Sequence, residues 1–457
     1  MSKPRDIILL VPDGVGIRNY LYSDVFKGRE TRLHLYHNFD PDTLGRLRTE
    51  LIFTSDMEIP AYSESIKEKY YRELIHYCRL RLNTKRTGNK TIMHLWNKPR
   101  KGLKQKLFYR LLEFTGKFYS SYTKVLKLEK KYQQAIRNNP FYAQVRKQLG
   151  DFNDAILFCT HQRALKAPAI FAAAKDIGFS TTTVIYSWDN IPKARLALQA
   201  DRYLVWSKYM KAQLLDFYPE LDEAQVQITG TPQFEAYHKQ ENIIPKAEFF
   251  SQYGLDTTKK TICFSGDDEY TSPYDPSYLE DLARQLQVAG LDSQYQILFR
   301  RCPVDVSGRY DAIIEKFKGL IIAAPPLWNF NSKVWSAVYP TQADVALLVS
   351  VAYHCDLVVN LGSTMAFDFG MFNKPCIYIN YDQPQARNWS VKMIYNFEHF
   401  KSMPDRSSVY WWDSPEQLTE VLQVAEQEGA KSKAWMDVVI EDTHASERIF
   451  KALTHVQ

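Results

Sequence analysis

The sequence predicts an α/β protein made of two doubly wound parallel-sheet domains, the first carrying a basic helical insert. Three observations predict it. Short β-branched and leucine-rich runs alternate with helix-like stretches in two series, a polar stretch around residues 230–245 divides the series, and a cationic segment interrupts the first. The length agrees, since 457 residues suffice for two or three domains of the usual ~100–200 residues. With 45% hydrophobic, 24% charged and 14% aromatic residues, the composition is that of a folded globular chain and excludes a disordered one.

The first domain is placed at residues 1–235. Its opening run, Asp6 to Val11, stops at Pro12-Asp13-Gly14-Val15-Gly16, the pattern of a buried parallel strand entering a glycine-containing turn. Further strands are predicted at Ala155 to Cys159, Thr183 to Tyr186, Tyr203 to Trp206 and Gln227 to Thr229, with helices at Leu165 to Lys175 and Lys208 to Leu215. Residues 60–150 form the insert. There Leu103, Leu107, Leu111, Phe114 and Phe118 recur every three or four positions and so share one helical face. The second domain, 236–430, opens with a strand at Thr261 to Ser265 and continues with Gln296 to Phe299, Leu320 to Ala323, Leu357 to Asn360 and Cys376 to Ile379. Helices near Pro276 to Val288, Asp344 to Tyr353 and Met365 to Phe372 separate these strands. The last segment, 431–457, reads as a helix that packs back on the first domain.

The net charge of +6 is unevenly spread. From Arg79 to Lys147 there are 19 Lys and Arg against two acids, Glu113 and Glu129, which leaves the remainder of the chain at −11. Lys101, Lys104, Lys106, Arg110 and Lys117 flank the apolar face of the insert, the pattern of an interfacial helix drawn to anionic lipid. Packing of the stripe on the protein body is the alternative. The six cysteines include no CxxC pair and no Cys/His cluster at ligand spacing, which argues against a disulfide framework or a structural zinc. No run of ~18 apolar residues and no signal-peptide pattern occurs. A cytoplasmic protein is expected, or one held peripherally on the inner face of the cytoplasmic membrane.

Chemistry concentrates at strand ends. The run from Leu357 to Asn360 stops at Gly362-Ser363-Thr364 and a helix begins at once, so backbone N–H groups and two hydroxyls converge where a diphosphate would be held, although a plain N-cap uses the same residues. Ser265 and Gly266, after the first strand of the second domain, suit the same ligand. The following Asp267, Asp268 and Glu269 would repel it and are expected in a solvated turn. Asp13 borders the proposed interdomain cleft, where Gly14 and Gly16 would admit a substrate close to the backbone. Their spacing completes no dinucleotide fingerprint, which disfavours a Rossmann oxidoreductase. His161, just past a strand, is a candidate for the same cleft, with a hydrogen-bonded structural histidine as the alternative. No metal and no cofactor are expected.

The stretch DLVVNLGSTMAFDFGMFNKPCIYINYD, Asp356 to Asp382, resembles the nucleotide-binding region of GT-B glycosyltransferases, near the CDP-glycerol polyol-phosphate transferase and bacterial surface-carbohydrate branch. The shared elements are Asp356, Ser363-Thr364, Phe367-Asp368 and Lys374-Pro375. Ile297 to Asp305 is similar to that family's strand and Arg-Pro-His-Pro turn, with Cys302 in place of the histidine, so Arg300 or Arg301 could pair with a diphosphate. Val205 to Lys208 and Ile228 to Pro232 resemble the crossover between the two Rossmann-like domains. Tyr186 to Lys193 is similar to a Trp-His-Gly-Thr-Pro stretch, with Asp189 where the family's histidine stands. The similarity runs from about Ala155 to Asp382.

This resemblance implies a glycosyltransferase that moves a sugar from a nucleotide-sugar donor to an acceptor hydroxyl, inverting and metal-independent, in bacterial surface polysaccharide or glycolipid assembly. Asp189, shielded beside Trp188, is the first candidate base, followed by Asp13 and His161. The donor would rest on Gly362, Ser363, Thr364, Asp368, Arg300, Arg301, Ser265 and Gly266. A saccharide or lipid-linked acceptor and an anionic membrane met by residues 79–147 are the expected partners. A polyol-phosphate transferase, a nucleotide-sugar epimerase of the same fold, and a nucleic-acid-binding scaffold using the basic insert are the rival readings, the last disfavoured.

Overall fold

A computed structural model describes residues 6–96, 98, 100–196, 199–330, 338–441 and 444–454. Residues 97 and 99 of the basic segment, and 442, 443 and 455–457 of the C-terminal segment, lie outside the described residues. The first sheet holds seven parallel strands: β1 (Asp6–Val11), β2 (Arg32–His37), β3 (Ser55–Glu58), β4 (Ile156–Cys159), β5 (Ser180–Val184), β6 (Arg202–Val205) and β7 (Val226–Ile228), in the order β3-β2-β1-β4-β5-β6-β7. The second holds six: β8 (Lys260–Ser265), β9 (Tyr295–Arg300), β10 (Ile321–Ala323), β13 (Leu357–Asn360), β14 (Cys376–Ile379) and β15 (Tyr410–Trp412), in the order β10-β9-β8-β13-β14-β15. Two short strands between them in the chain, β11 (Trp328–Asn329) and β12 (Tyr339–Pro340), pair antiparallel. The strand order reverses beside β1 in one sheet and beside β8 in the other, and ligands bind at such switch points.

Helices cover both sheets. In the first domain they are α1 (Ile17–Tyr20), α2 (Pro41–Glu50), α3 (Ile66–Thr87), α4 (Gly102–Gly116), α5 (Tyr122–Arg137), α6 (Pro140–Leu149), α7 (Ala167–Asp176) and α8 (Lys208–Phe217). The insert is α3 to α6. A capping box at Ser65 and Glu68 starts α3, and Gly88 in the left-handed region ends it. Arg79 of α3 is buried between Glu129 of α5 and Glu220, with its guanidinium 4.6 Å from the ring centre of Tyr218. This charge triad fastens the insert to the body.

Helix α4 answers the question posed by its apolar stripe. Tyr109, Leu112 and Gly116 face inward, and a Cβ on Gly116 would stand 2.5 Å from the Tyr77 ring, so α4 lies tight on α3. Leu103, Leu107, Leu111, Phe114 and Phe118 are left 58 to 78% exposed, with Lys101, Lys104, Lys106, Arg110 and Lys117 exposed beside them. The stripe does not pack on the body.

The domains meet through an aromatic cluster and two straps. Trp188, from the loop after β5, sits 5.3 to 5.8 Å from the rings of Phe367, Phe400 and Trp435. Tyr339 of β12 reaches the first domain, donating to Thr43 Oγ1 at 2.8 Å. The helix Ala445–Thr454 buries Ala445, Ile449 and Leu453 in the core that contains Ile7 and Leu9 of β1.

Candidate functional site

β1 and β4 are neighbours, so the loops leaving their C-terminal ends converge. They bring together Asp13 and His161, whose Nδ1 lies 2.6 Å from Asp13 Oδ2. Asp13 Oδ1 accepts from Val15 N–H at 3.1 Å, which fixes the carboxylate on its turn. In the neutral ring that donates from Nδ1 to this carboxylate, Nε2 is the nitrogen left to accept. The two side chains are 11% and 17% exposed, enough for a small group to reach them. Tyr186 stands edge-on to His161, centroids 6.2 Å apart. Gly14 and Gly16 do not open the turn to substrate. A Cβ on Gly14 would be 2.1 Å from the Val338 carbonyl oxygen, and one on Gly16 would be 2.2 Å from Thr160 Oγ1, so protein fills the space that the missing side chains leave.

Asp189 is held differently. Its carboxylate pairs with Lys193 Nζ at 2.5 Å and accepts from Asn190 Nδ2 at 2.7 Å. Burial pulls its pKa upward, but the Lys193 ammonium and the neighbouring His399 outweigh that and hold it well below the usual carboxylate range. Burial in turn pushes His399 down to about 4. A carboxylate so stabilised is a weak base, and Asp189 serves as a loop anchor in this geometry.

In the second domain Gly362 has φ 70° and packs its α-carbon against Phe400, which makes the turn after β13 depend on glycine. Ser363 N–H donates to Asn360 Oδ1 at 2.8 Å and Ser363 Oγ accepts from Met365 N–H at 3.3 Å, whereas the Thr364 hydroxyl has no partner among the described residues. The helix that follows, Met365–Gly370, is a turn and a half long. Asp368 on it is buried, accepts from Tyr237 Oη at 2.5 Å and so braces the interdomain crossover, within the fields of Arg18 and Arg300. Arg300 is buried against Asp344 at 2.8 Å, leaving Nη1 without a partner. Arg301 donates to the Asp305 carbonyl at 2.6 Å and lies 5.2 Å from the Phe330 ring centre. Beside it, Phe299, Tyr310 and Pro325 help line a cavity of about 260 Å³. Burial pushes the Cys302 thiol up to about 12, so it stays protonated. Ser265 is buried, and Gly266 lies against Tyr310, where a Cβ would be 2.9 Å from the hydroxyl.

Of the acidic turn after β8, Glu269 is exposed as expected, but Asp267 and Asp268 are half-buried. The Asp267 carbonyl accepts from Arg309 and Tyr310, Asp268 accepts from Thr271, and burial together with Asp268 and Asp275 raises the Asp267 carboxyl well above its usual range. Among the described residues no group of His, Cys, Asp and Glu could hold a metal ion.

Arg18 of α1 was not singled out by its spacing. It lies in the seam, within the fields of Tyr186, Tyr237, Asp368 and Asp344, and adds a cation from the first domain opposite the Thr364 turn's domain. Its place directly after the glycine turn, in the first turn of a helix, is the sequence signal that marks it.

No protein-family model matches the sequence, and no curated protein matches it. Solved structures do. A UDP-GlcNAc 2-epimerase from Methanocaldococcus jannaschii aligns at 10% identity over 99% of this chain and 100% of its own, TM-score 0.55. A glycosyltransferase from Rickettsia africae aligns at 10% identity over 100% of both chains, TM-score 0.54. A UDP-N-acetylglucosamine 2-epimerase from Rickettsia bellii aligns at 10% identity over 98% of this chain and 95% of its own, TM-score 0.52. At such identity the likeness concerns architecture, and with two parallel sheets of seven and six strands it gives this chain the GT-B fold.

Proposed function

We propose that the protein transfers a sugar from a nucleotide-sugar donor to an acceptor hydroxyl, with the Asp13–His161 pair as its base. The observation that carries this reading is the 2.6 Å contact that sets His161 Nδ1 against Asp13 at the C-terminal edge of the first sheet, so that Nε2 is the ring nitrogen available to a hydroxyl. In the proposed step Nε2 takes the proton of the acceptor hydroxyl as its oxygen attacks the anomeric carbon and the nucleoside diphosphate leaves. Asp13 holds the ring in the competent tautomer and stabilises the imidazolium. Attack from the face opposite the leaving group inverts the anomeric centre. The donor diphosphate would lie between the Thr364 turn, the free Nη1 of Arg300 and Arg18, whose fixed charges oppose the charge that develops on the leaving group. The cavity beside Tyr310 is the space proposed for the base.

Transfer is favoured over epimerisation by α4. A face of five exposed large hydrophobic side chains flanked by lysines suits an acceptor at an anionic membrane surface, which an epimerase of a soluble nucleotide sugar does not need. The test is a thermal-shift panel of UDP, GDP, CDP and dTDP sugars followed by mass spectrometry of the stabilising donor with and without membrane extract. Stabilisation by one donor, and acceptor-dependent release of its nucleoside diphosphate, are expected. Interconversion of the donor sugar without an acceptor would overturn transfer, and stabilisation by none would overturn the nucleotide-sugar reading.

A further inference from the structure

A cavity of about 440 Å³ lies between α3, α4 and the loop after β4, outside the Asp13–His161 pair and the Thr364 turn. Five cationic side chains line it, Lys69, Arg72, Lys98, Arg163 and Arg195, against one carboxylate, Glu73. The carboxylate is already used. Arg72 Nη1 lies 2.7 Å and Lys98 Nζ 2.8 Å from its two oxygens, and Arg72 is further held by Glu64. Arg163 and Arg195 have no hydrogen-bond or ion-pair partner among the described residues, and the Nε of Arg163 is buried without one. His76, 4% exposed in the cavity wall, donates through Nε2 to the Lys193 carbonyl and leaves a buried Nδ1 unpartnered. Burial and then mutual repulsion lower the pKa of Arg195 beside Arg163, and of Lys98 beside Arg195. The cluster therefore holds more cations than its carboxylates pair, with Arg163 half-buried in the field of Asp189 and Arg195 exposed at its mouth.

We propose that this cavity binds a phosphate or diphosphate group carried by the acceptor, an inference that rests on the transfer reading above. Guanidinium groups with both edges free take phosphate oxygens bidentately, and two of them here are free. Placement supplies the rest. Arg163 follows His161 by two residues, so their α-carbons are within about 7 Å and the cavity adjoins the loop that carries the proposed base. The outer side of α4, whose Tyr109 lines the cavity, carries the exposed apolar stripe, so a phosphorylated headgroup would enter here while its tail stays in the bilayer.

The test is calorimetric binding of inorganic pyrophosphate at fixed ionic strength to the wild-type chain, to Arg163→Gln/Arg195→Gln, and to Ser363→Ala/Thr364→Ala. Binding that falls tenfold or more in the arginine variant, and survives in the serine-threonine variant, is expected. No binding to wild type, or the reverse pattern, overturns the proposal. Without anion the arginine variant should melt no lower than wild type, because repelling unpaired cations are removed. A clearly lower melting temperature would show that those cations are already satisfied in the folded chain and would also overturn it. Vesicles of phosphatidic acid in phosphatidylcholine identify the source. Reduced sedimentation of the arginine variant assigns the phosphate to a lipid headgroup, and unchanged sedimentation assigns it to a soluble acceptor. Sugar transfer without pyrophosphate binding would remove this site alone, whereas arginine-dependent binding in a chain that transfers no sugar would remove the transfer reading and keep the anion site.

Discussion

Replacing Leu107, Leu111 and Phe114 together by Ser tests the outer face of α4, because a packed stripe and a membrane-seeking one respond in opposite ways. The three side chains are 65%, 58% and 58% exposed. Full burial of such a side chain is worth about 1.5–3 kcal/mol, so the share not yet realised is about 1–2 kcal/mol each and about 3–5 kcal/mol for the three. That corresponds to a loss on the order of 10²–10⁴-fold in partitioning onto vesicles. Fold stability should change little, since exposed substitutions stay within about 0.5 kcal/mol each. The assay is co-sedimentation with phosphatidylglycerol/phosphatidylcholine vesicles at low and high salt, with melting temperatures measured alongside. Wild-type binding should weaken with salt as the lysine contribution is screened. Sedimentation of the variant equal to wild type, or a fall in melting temperature of more than about 2 °C, the shift that goes with roughly 2 kcal/mol in a chain of this size, would refute the reasoning.

Three further outcomes are expected. His161→Gln and Asp13→Asn should each lower turnover about 10²–10⁴-fold at saturating donor with donor affinity nearly unchanged, read from initial rates and calorimetry. Asp189→Asn should keep turnover but cost about 1–3 kcal/mol of stability at pH 7 in urea unfolding, because it removes a charge-assisted bond to Lys193. Asp189 has its folded pKa below the ordinary value of 3.8, so its contribution is present above that pH and is lost as the pH falls toward the folded value. The gap between variant and wild type should therefore stay constant from neutral pH downward and close only below about pH 4. Gly362→Ala forces a side chain into a left-handed conformation against Phe400 and should cost about 1–2 kcal/mol, measured as a lower urea midpoint.

Much of the architecture was legible because buried parallel strands are apolar on both faces. Leu357–Asn360 and Cys376–Ile379 stand where their residues predicted them. Strand β2 escaped notice because its run, RLHLYH, looks polar, yet His34 is buried where Nε2 meets Asp6 Oδ1 at 2.8 Å. Strand β3, SDME, is an edge strand whose polar residues give no hydrophobic signal. Strand β5 lies earlier than its apolar residues suggest, since three threonines supply its buried wall. At the site, strand ends located Asp13 and His161, but contact between loops separated by 148 residues is a tertiary fact. Nor could spacing distinguish a base from an anchor. Asp189 followed by Lys193 reads equally as a shielded carboxylate or an ion pair, and only the loop's conformation decides. The cationic cavity was not legible, because of its five cations only Lys98 lies in the basic segment 79–147, while Lys69 and Arg72 precede it and Arg163 and Arg195 belong to the body.

The chain passes between its two sheets twice, once after β7 and again beyond β15, where the helix Lys433–Val439 presents Trp435 to Trp188 before the helix Ala445–Thr454 settles in the first domain. Any rotation about the line joining the crossings must draw the Trp188 indole away from Phe367, Phe400 and Trp435 and part Tyr339 from Thr43. Parting the domains would then mean separating aromatic surfaces, a step sensitive to cosolvent and temperature.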